Sequence, residues 1–74
     1  MDENYFKAAR EKVGLSQFEA AVKIGVTASA VSGWERGQVP RLNLVDSICK
    51  VYRLAESEVL RVMKEMSSQT AAAK

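Results

Sequence analysis

The chain has 74 residues, 47% of them hydrophobic and 27% charged, so it is long enough for one small folded domain and too apolar to be disordered. A single cysteine, Cys49, and the absence of histidine exclude an internal disulfide and a His-based catalytic triad, and we expect neither a metal site nor a cofactor. The net charge of +2 does not by itself indicate nucleic acid, and with no apolar run near the roughly 18 residues of a membrane span and no signal segment we expect a cytoplasmic protein.

The first helix is predicted to begin at a cap formed by Asp2 or Asn4 and to end near Val13. Its apolar residues recur at helical spacing on one face: Phe6, Ala9 and Val13. Arg10 falls on or beside this face, and a buried arginine that lost its partner would cost about 3–5 kcal/mol. We therefore expect Arg10 to have an acidic partner elsewhere in the chain.

Residues 17–36 are predicted to form two short helices joined by a tight turn. Ser16 and Glu19 have the spacing of a capping box at the start of the first one, and Gly25 suits the left-handed conformation at its end. Thr27 is a good N-cap for the next helix. The residues expected in the core are Ala20, Ala21, Ile24, Val31 and Trp34. Because the turn is short and small residues lie at the crossing, the pair is typical of a helix-turn-helix unit, whose second helix can enter the DNA major groove.

The helix that starts at residue 17 also carries an apolar pair outside its core face. Phe18 and Val22 are four residues apart and therefore share one side of the helix. Two interpretations remain open for this pair: packing against another part of the chain, or contact with a partner protein.

Two more helices are predicted after a connecting loop. The fourth has one apolar side, made of Leu42, Val45, Ile48, Cys49 and Tyr52. The fifth is predicted from Glu56 to Met66, with acids at its start and cations toward its end, and its apolar stripe consists of Val59, Leu60, Met63 and Met66. Either the stripe packs over the core, or Met63 and Met66 form part of a dimer seam, which adaptable methionine side chains suit. The domain is predicted to span 1–66, and 67–74 to form a flexible tail.

Charge is unevenly distributed along the chain. Between Ala20 and Val45 the one acid is Glu35, whereas acids are concentrated toward the two ends. The bases of this middle segment are Lys23, Arg36 and Arg41. A surface built from it would be neutral to positive, which favours contact with phosphates.

The order and spacing of these residues resemble a known family. The stretch QFEAAVKIGVTASAVSGWER at 17–36 resembles the helix-turn-helix of lambda-repressor-like regulators of the Cro/C1, XRE type. The flanking REKVGLSQ and VPRLNLVDSICKVYRLAESEVL extend the resemblance over roughly residues 6–60. It implies an all-α fold, a compact bundle of five short helices, and an ion pair between Arg10 and Glu35 that ties the first helix to the third.

The resemblance also implies a transcriptional regulator of double-stranded DNA, bacterial or phage-encoded and nucleoid-associated, of the repressor type. We expect its recognition helix, 28–36, to lie in the major groove, with a homodimer bound to two half-sites about 34 Å apart. Two alternatives remain open: an antitoxin or restriction–modification controller of the same fold, and a protein-interaction module that has lost DNA binding. An enzyme is not expected, because no residues converge to supply a base and a nucleophile.

The residues expected at the DNA form two sets. Those expected to face the groove begin or belong to the recognition helix: Thr27, Ala28, Ser29, Ser32 and Gly33. Those expected at the DNA backbone, several of them on the strength of the resemblance, are Ser16, Gln17, Arg36, Gln38, Arg41 and Asn43. The first set has no Arg, Asn or Gln, the side chains best suited to bidentate base contacts. Specificity is therefore expected to depend also on Gln17, on loop residues and on the deformability of the DNA.

Overall fold

The computed structural model describes the backbone of residues 4–72 and the side chains of residues 4–67. This part of the chain contains five α-helices and no strand, which confirms the predicted fold class. The helices are α1 Tyr5–Lys12, α2 Gln17–Ile24, α3 Ala28–Glu35, α4 Val45–Tyr52 and α5 Glu56–Ala72. A short 3₁₀ helix, Leu42–Leu44, leads into α4. Within the described range, no helix has the length and apolar character needed to cross a membrane.

One hydrophobic core lies between the helices. Phe6, Val31, Ile48 and Val59 are fully enclosed, and each comes from a different helix. The other core residues are Ala9, Ala20, Ala21, Ile24, Trp34, Val45, Tyr52 and Met63. The helical spacing of apolar residues thus predicts most of the core. It is wrong at Leu42, which is 73% exposed, because this residue lies in the 3₁₀ helix, whose three residues per turn shift it out of phase with α4.

The connection between α2 and α3 has the predicted helix-turn-helix geometry. Ser16 Oγ accepts a hydrogen bond from the Glu19 N–H (3.0 Å), and the Glu19 carboxylate accepts one from the Ser16 N–H (2.9 Å). Gly25 has a φ of 94°, the left-handed conformation expected at a helix end. Thr27 caps α3 by accepting a hydrogen bond from the Ala30 N–H (3.2 Å). Because both ends of the turn are capped, α2 and α3 pack against each other across a very short connection.

Asn4 is the N-cap of α1. Its Oδ1 accepts hydrogen bonds from the N–H groups of Phe6 (2.8 Å) and Lys7 (3.2 Å). Its Nδ2 donates to the Trp34 carbonyl oxygen (3.0 Å), so one side chain ties the start of α1 to the last turn of α3. The alternative cap, Asp2, lies outside the described residues.

Helix α5 is longer than predicted. It continues beyond Met66 to Ala72. Residues 67–72 contain no glycine or proline and include alanine and glutamine, which are good helix formers, so nothing in this stretch ends the helix. Part of the predicted tail is therefore helical, and the flexibility of residues 67–74 stays a prediction.

The apolar stripe of α5 packs over the core. Met63 is 5% exposed and belongs to the core, so the prediction that it contributes to a dimer seam is wrong. Met63 lies on the side of α5 that faces the bundle, and its side chain fills part of the core. Met66 is half-buried against the same core, whereas Leu60 lies at the edge of the stripe and is 40% exposed.

Candidate nucleic-acid interface

An ion pair with α1 holds the end of α3. Arg10 donates through Nε to Glu35 Oε2 (2.6 Å) and through Nη2 to Glu35 Oε1 (3.1 Å), the partners that the resemblance implied. Its Nη1 donates to the Leu15 carbonyl oxygen (2.8 Å), just before α2. The two charged side chains are 10% and 6% exposed, so the pair is shielded from water. One guanidinium therefore fixes the relative positions of α1, the start of α2 and the end of α3.

The surroundings of this pair keep both groups charged. Burial alone would raise the pKa of Glu35, but hydrogen bonds from Arg10 and Gln17 outweigh it and lower the pKa. The pKa of Arg10 is raised, chiefly by its hydrogen bond to Glu35. The charge of the single acid between Ala20 and Val45 is therefore neutralised inside the protein and does not oppose phosphate binding by this segment.

The start of α2 is partly engaged by the protein itself. Gln17 is half-buried, and its Nε2 donates to Glu35 Oε1 (3.0 Å). Gln17 was expected to contact the DNA backbone, but part of its amide is already used by this bond. The second N–H of the amide remains as a donor. The exposed Ser16 uses its hydroxyl oxygen as the cap acceptor and keeps its O–H as a donor.

The outward side of α3 carries hydroxyl groups and one cation. Thr27 and Ser29 are exposed, whereas Ala28 and Ser32 are half-buried. The Ser32 hydroxyl accepts a hydrogen bond from Nη1 of the exposed Arg36 (2.8 Å), which lays this guanidinium along the last turn of the helix. Hydroxyls can donate or accept with any base, so they discriminate weakly by themselves.

Gly33 lies on the outward side of α3, but the side chain of Gln38 covers it. Gly33 is buried although it shares a helix face with the exposed Ser29, four residues earlier. A Cβ placed on Gly33 would overlap Gln38 Oε1 and lie 3.1 Å from Gln38 Cδ. The Gln38 N–H donates to the Gly33 carbonyl oxygen (2.9 Å), which fixes the loop to α3 at this point. The absence of a side chain at Gly33 thus leaves room for the side chain of Gln38, and a DNA contact by Gly33 itself stays a prediction.

A shallow depression of about 410 Å³ brings together predicted DNA-contact residues from separate parts of the chain. Thr27 at the start of α3, Gln38 and Arg41 in the loop, and Asn43 in the 3₁₀ helix all line it. Among the residues that the structure describes, none that lines this depression is acidic. Arg41 and Asn43 are exposed, so both can reach an anionic backbone alongside α3.

Lys23 does not line the same depression as Arg41 but belongs to a second group of basic residues, which the sequence did not indicate. A depression of about 630 Å³ among α1, α2 and α4 shares no lining residue with the first one. Its cations are Lys12, Lys23, Lys50 and Arg53. These residues come from three helices and a helix end, so no local pattern in the sequence brings them together. Lys50 also pairs with Asp46 one turn earlier (3.2 Å), which reduces its positive field.

The apolar pair on α2 is exposed. Phe18 is 69% and Val22 64% exposed, so neither packs against the part of the chain whose side chains the structure describes. Packing against the remaining part of the chain and contact with a partner protein therefore both stay predictions. Leu42 and Val39 are further exposed apolar residues near the loop after α3.

Comparison with known proteins agrees with this geometry. The helix-turn-helix family profile matches residues 6–59, more than half of the chain. No curated protein and no solved structure matches the chain. The matched range contains the whole α2–turn–α3 unit and both members of the Arg10–Glu35 pair. The chain therefore belongs to the helix-turn-helix family, of the Cro/C1 and XRE-like type, whose members are DNA-binding regulators.

Proposed function

We propose that this protein is a sequence-specific transcriptional regulator that places α3 in the major groove of double-stranded DNA. The observation that carries the proposal is the outward side of α3, where Thr27 and Ser29 are exposed beside Arg36 and the loop cation Arg41. The helix behind these groups is fixed by the buried pair of Arg10 and Glu35, so binding needs little rearrangement.

Contacts with the DNA backbone follow from the ends of the helices. The first turns of α2 and α3 have N–H groups without partners inside their helices, and the helix dipole makes these ends positive. The caps Ser16 and Thr27 each occupy one such N–H, which leaves others for phosphate oxygens. Arg36, Arg41 and Asn43 would add side-chain contacts on either side of α3.

We further propose that the protein binds as a homodimer. A single copy offers few phosphate contacts, and useful affinity at physiological salt requires several. Two copies related by a two-fold axis would place their recognition helices in successive major grooves, about 34 Å apart. An antitoxin or restriction–modification controller would use the same DNA contacts, so these roles are narrower forms of the proposal.

The experiment is selection of binding sites by the full chain from a pool of randomised DNA duplexes, followed by sequencing. We expect an enriched motif with two-fold symmetry and half-sites about 10 base pairs apart. A pool that is no more enriched than one carried through without protein would overturn the proposal.

A second candidate function is a protein-interaction module that retains the fold without binding DNA. The exposed Phe18 and Val22 favour it, because adjacent exposed aromatic and branched side chains are typical of contact surfaces. Site selection by the wild type separates the two functions, and a variant with both residues replaced by serine is its control. The DNA regulator predicts that site selection survives these substitutions, whereas the interaction module predicts no selection before or after them.

A further inference from the structure

We propose that the loop residue Gln38 is the main determinant of base specificity. Because glycine at position 33 has no side chain, the side-chain amide of Gln38 can lie on the outward face of α3. This inference rests on the proposed function and adds to it the residue that reads the sequence. The amide would favour an A·T base pair at one position of each half-site.

Residues four apart on a helix point the same way, so Ser29 and position 33 share the outward face of α3. Ser29 is exposed, but Gly33 is buried. Apart from its chain neighbours and the backbone of the helix, the heavy atoms nearest to a Cβ placed on Gly33 all belong to the side chain of Gln38, so this side chain covers Gly33.

The loop backbone is anchored because the Gln38 N–H donates to the Gly33 carbonyl oxygen (2.9 Å). From this anchor the side chain runs across α3, and the place that a Cβ of residue 33 would fill overlaps Gln38 Oε1. The amide therefore occupies the space in which a side chain from position 33 would otherwise stand, while the residue as a whole remains exposed.

The other side chains on this face are hydroxyls, and the Arg36 guanidinium is directed to Ser32. A glutamine amide has a donor and an acceptor on one planar group, which matches the N7 acceptor and N6 donor that adenine presents in the major groove. Gln38 is thus a side chain lying against the outward face of α3 that has both the donor and the acceptor for a bidentate contact with this base.

The test compares the wild-type chain with Gln38→Met and Gly33→Ala. Gln38→Met keeps the length and cover of the side chain but removes its donor and acceptor. Gly33→Ala keeps the amide but pushes it away, because the added methyl overlaps the far end of a flexible side chain. The helix itself tolerates this change, since alanine is the better helix former, so thermal unfolding should not occur at a lower temperature.

Affinities are measured for the selected duplex and for duplexes with single base-pair substitutions. We expect both variants to lose the preference for A·T at the same position of the half-site, with discrimination reduced about 5- to 100-fold. Asn43→Ala is the matched control: it removes an amide from the same depression and should weaken binding to all these duplexes by a common factor.

The outcomes separate the two proposals. If the wild type selects a site and both variants retain every base preference, Gln38 contacts only the backbone, and the inference fails while the proposed function stands. If the two variants lose preferences at different positions, the seating of Gln38 on Gly33 is not what reads the base, and the inference also fails. If the wild type selects no site, the proposed function fails and takes the inference with it.

Discussion

Arg10 reaches from α1 to the end of α3, and its hydrogen bonds to Glu35 are almost closed to water. Glu35→Ala would leave this guanidinium buried without its carboxylate, so we expect the free energy of unfolding to fall by about 3–5 kcal/mol. Replacing both partners, Arg10→Met with Glu35→Leu, removes the two charges together and should cost far less. Urea denaturation of the three proteins measures both effects. A double variant as unstable as Glu35→Ala would show that the loss does not come from an uncompensated charge.

The same pair makes stability depend on acid. The pKa of Glu35 is lower in the folded chain than its ordinary value of 4.5, because hydrogen bonds from Arg10 and Gln17 outweigh burial. A lowered pKa contributes stability above the unfolded value, and this contribution is lost as pH falls through the folded value. We expect the stability difference between wild type and the charge-free double variant to change as pH falls below 4.5, with wild type losing more. Parallel curves for the two proteins over this range would contradict the assignment to Glu35.

Tyr52 is a buried residue whose hydroxyl is not satisfied. Its side chain is 2% exposed, and its hydroxyl has no hydrogen-bond partner among the described residues. Burial is the main reason that its pKa is raised to about 12, since the phenolate would be still harder to bury. Tyr52→Phe keeps the ring and removes this group, so we expect stability to stay equal or rise by up to about 1 kcal/mol. Thermal unfolding measures the change, with Ile48→Ala as a core control that should lose about 2–5 kcal/mol.

At the scale of elements, the ends of α2 and α4 use the same backbone conformation with different residues. Gly25 ends α2 at a φ of 94°, and Arg53 ends α4 at a φ of 59°. A side chain in this left-handed region costs about 1–2 kcal/mol relative to glycine. We therefore expect Gly25→Ala to destabilise the chain by about 1 kcal/mol or more and Arg53→Gly to stabilise it by up to about 1 kcal/mol. Opposite shifts in the midpoint of thermal unfolding check this pair, and shifts of the same sign would contradict it.

The elements that could be predicted from the sequence are those whose signals are local. The capping box of Ser16 and Glu19, the glycine at 25 and the cap at Thr27 each depend on residues within one turn, and the structure has all three. The end of α5 could not be predicted, because residues 67–72 include good helix formers and contain no residue type that usually ends a helix. The exposure of Leu42 could not be predicted either, since the 3₁₀ helix before α4 gives no sequence signal that changes the apolar period.

The sequence predicted which residues belong to the candidate site better than it predicted how they are arranged. The ion pair that holds Glu35 could be predicted from the sequence. Arg10 is a charged residue on or beside an apolar helix face, and the family resemblance implies Glu35 as its partner. The covering of Gly33 by Gln38 could not be predicted, because it depends on the path of a loop after α3. The separate group of cations that includes Lys12 is likewise visible only once α1, α2 and α4 are in contact.

The whole molecule has cations in two places, one beside α3 that includes Arg41 and one that includes Lys12. Which of the two faces the DNA can be tested. The proposal assigns this role to the side with α3 and Arg41 and leaves the depression lined by Lys12 away from the phosphates. Arg41→Ala should then weaken binding to specific and non-specific duplexes alike, because it removes one phosphate contact without touching a base. The slope of log K against log salt should decrease in magnitude by about 1.

A salt titration of fluorescence anisotropy measures this slope for each protein. Lys12→Ala is the matched control, since it removes the same charge from the other depression and should leave the slope unchanged. If the slope changes for Lys12→Ala and not for Arg41→Ala, the molecule binds DNA through the opposite group of cations. That result would contradict the placement of α3 in the groove, because no residue of α3 lines the depression that contains Lys12.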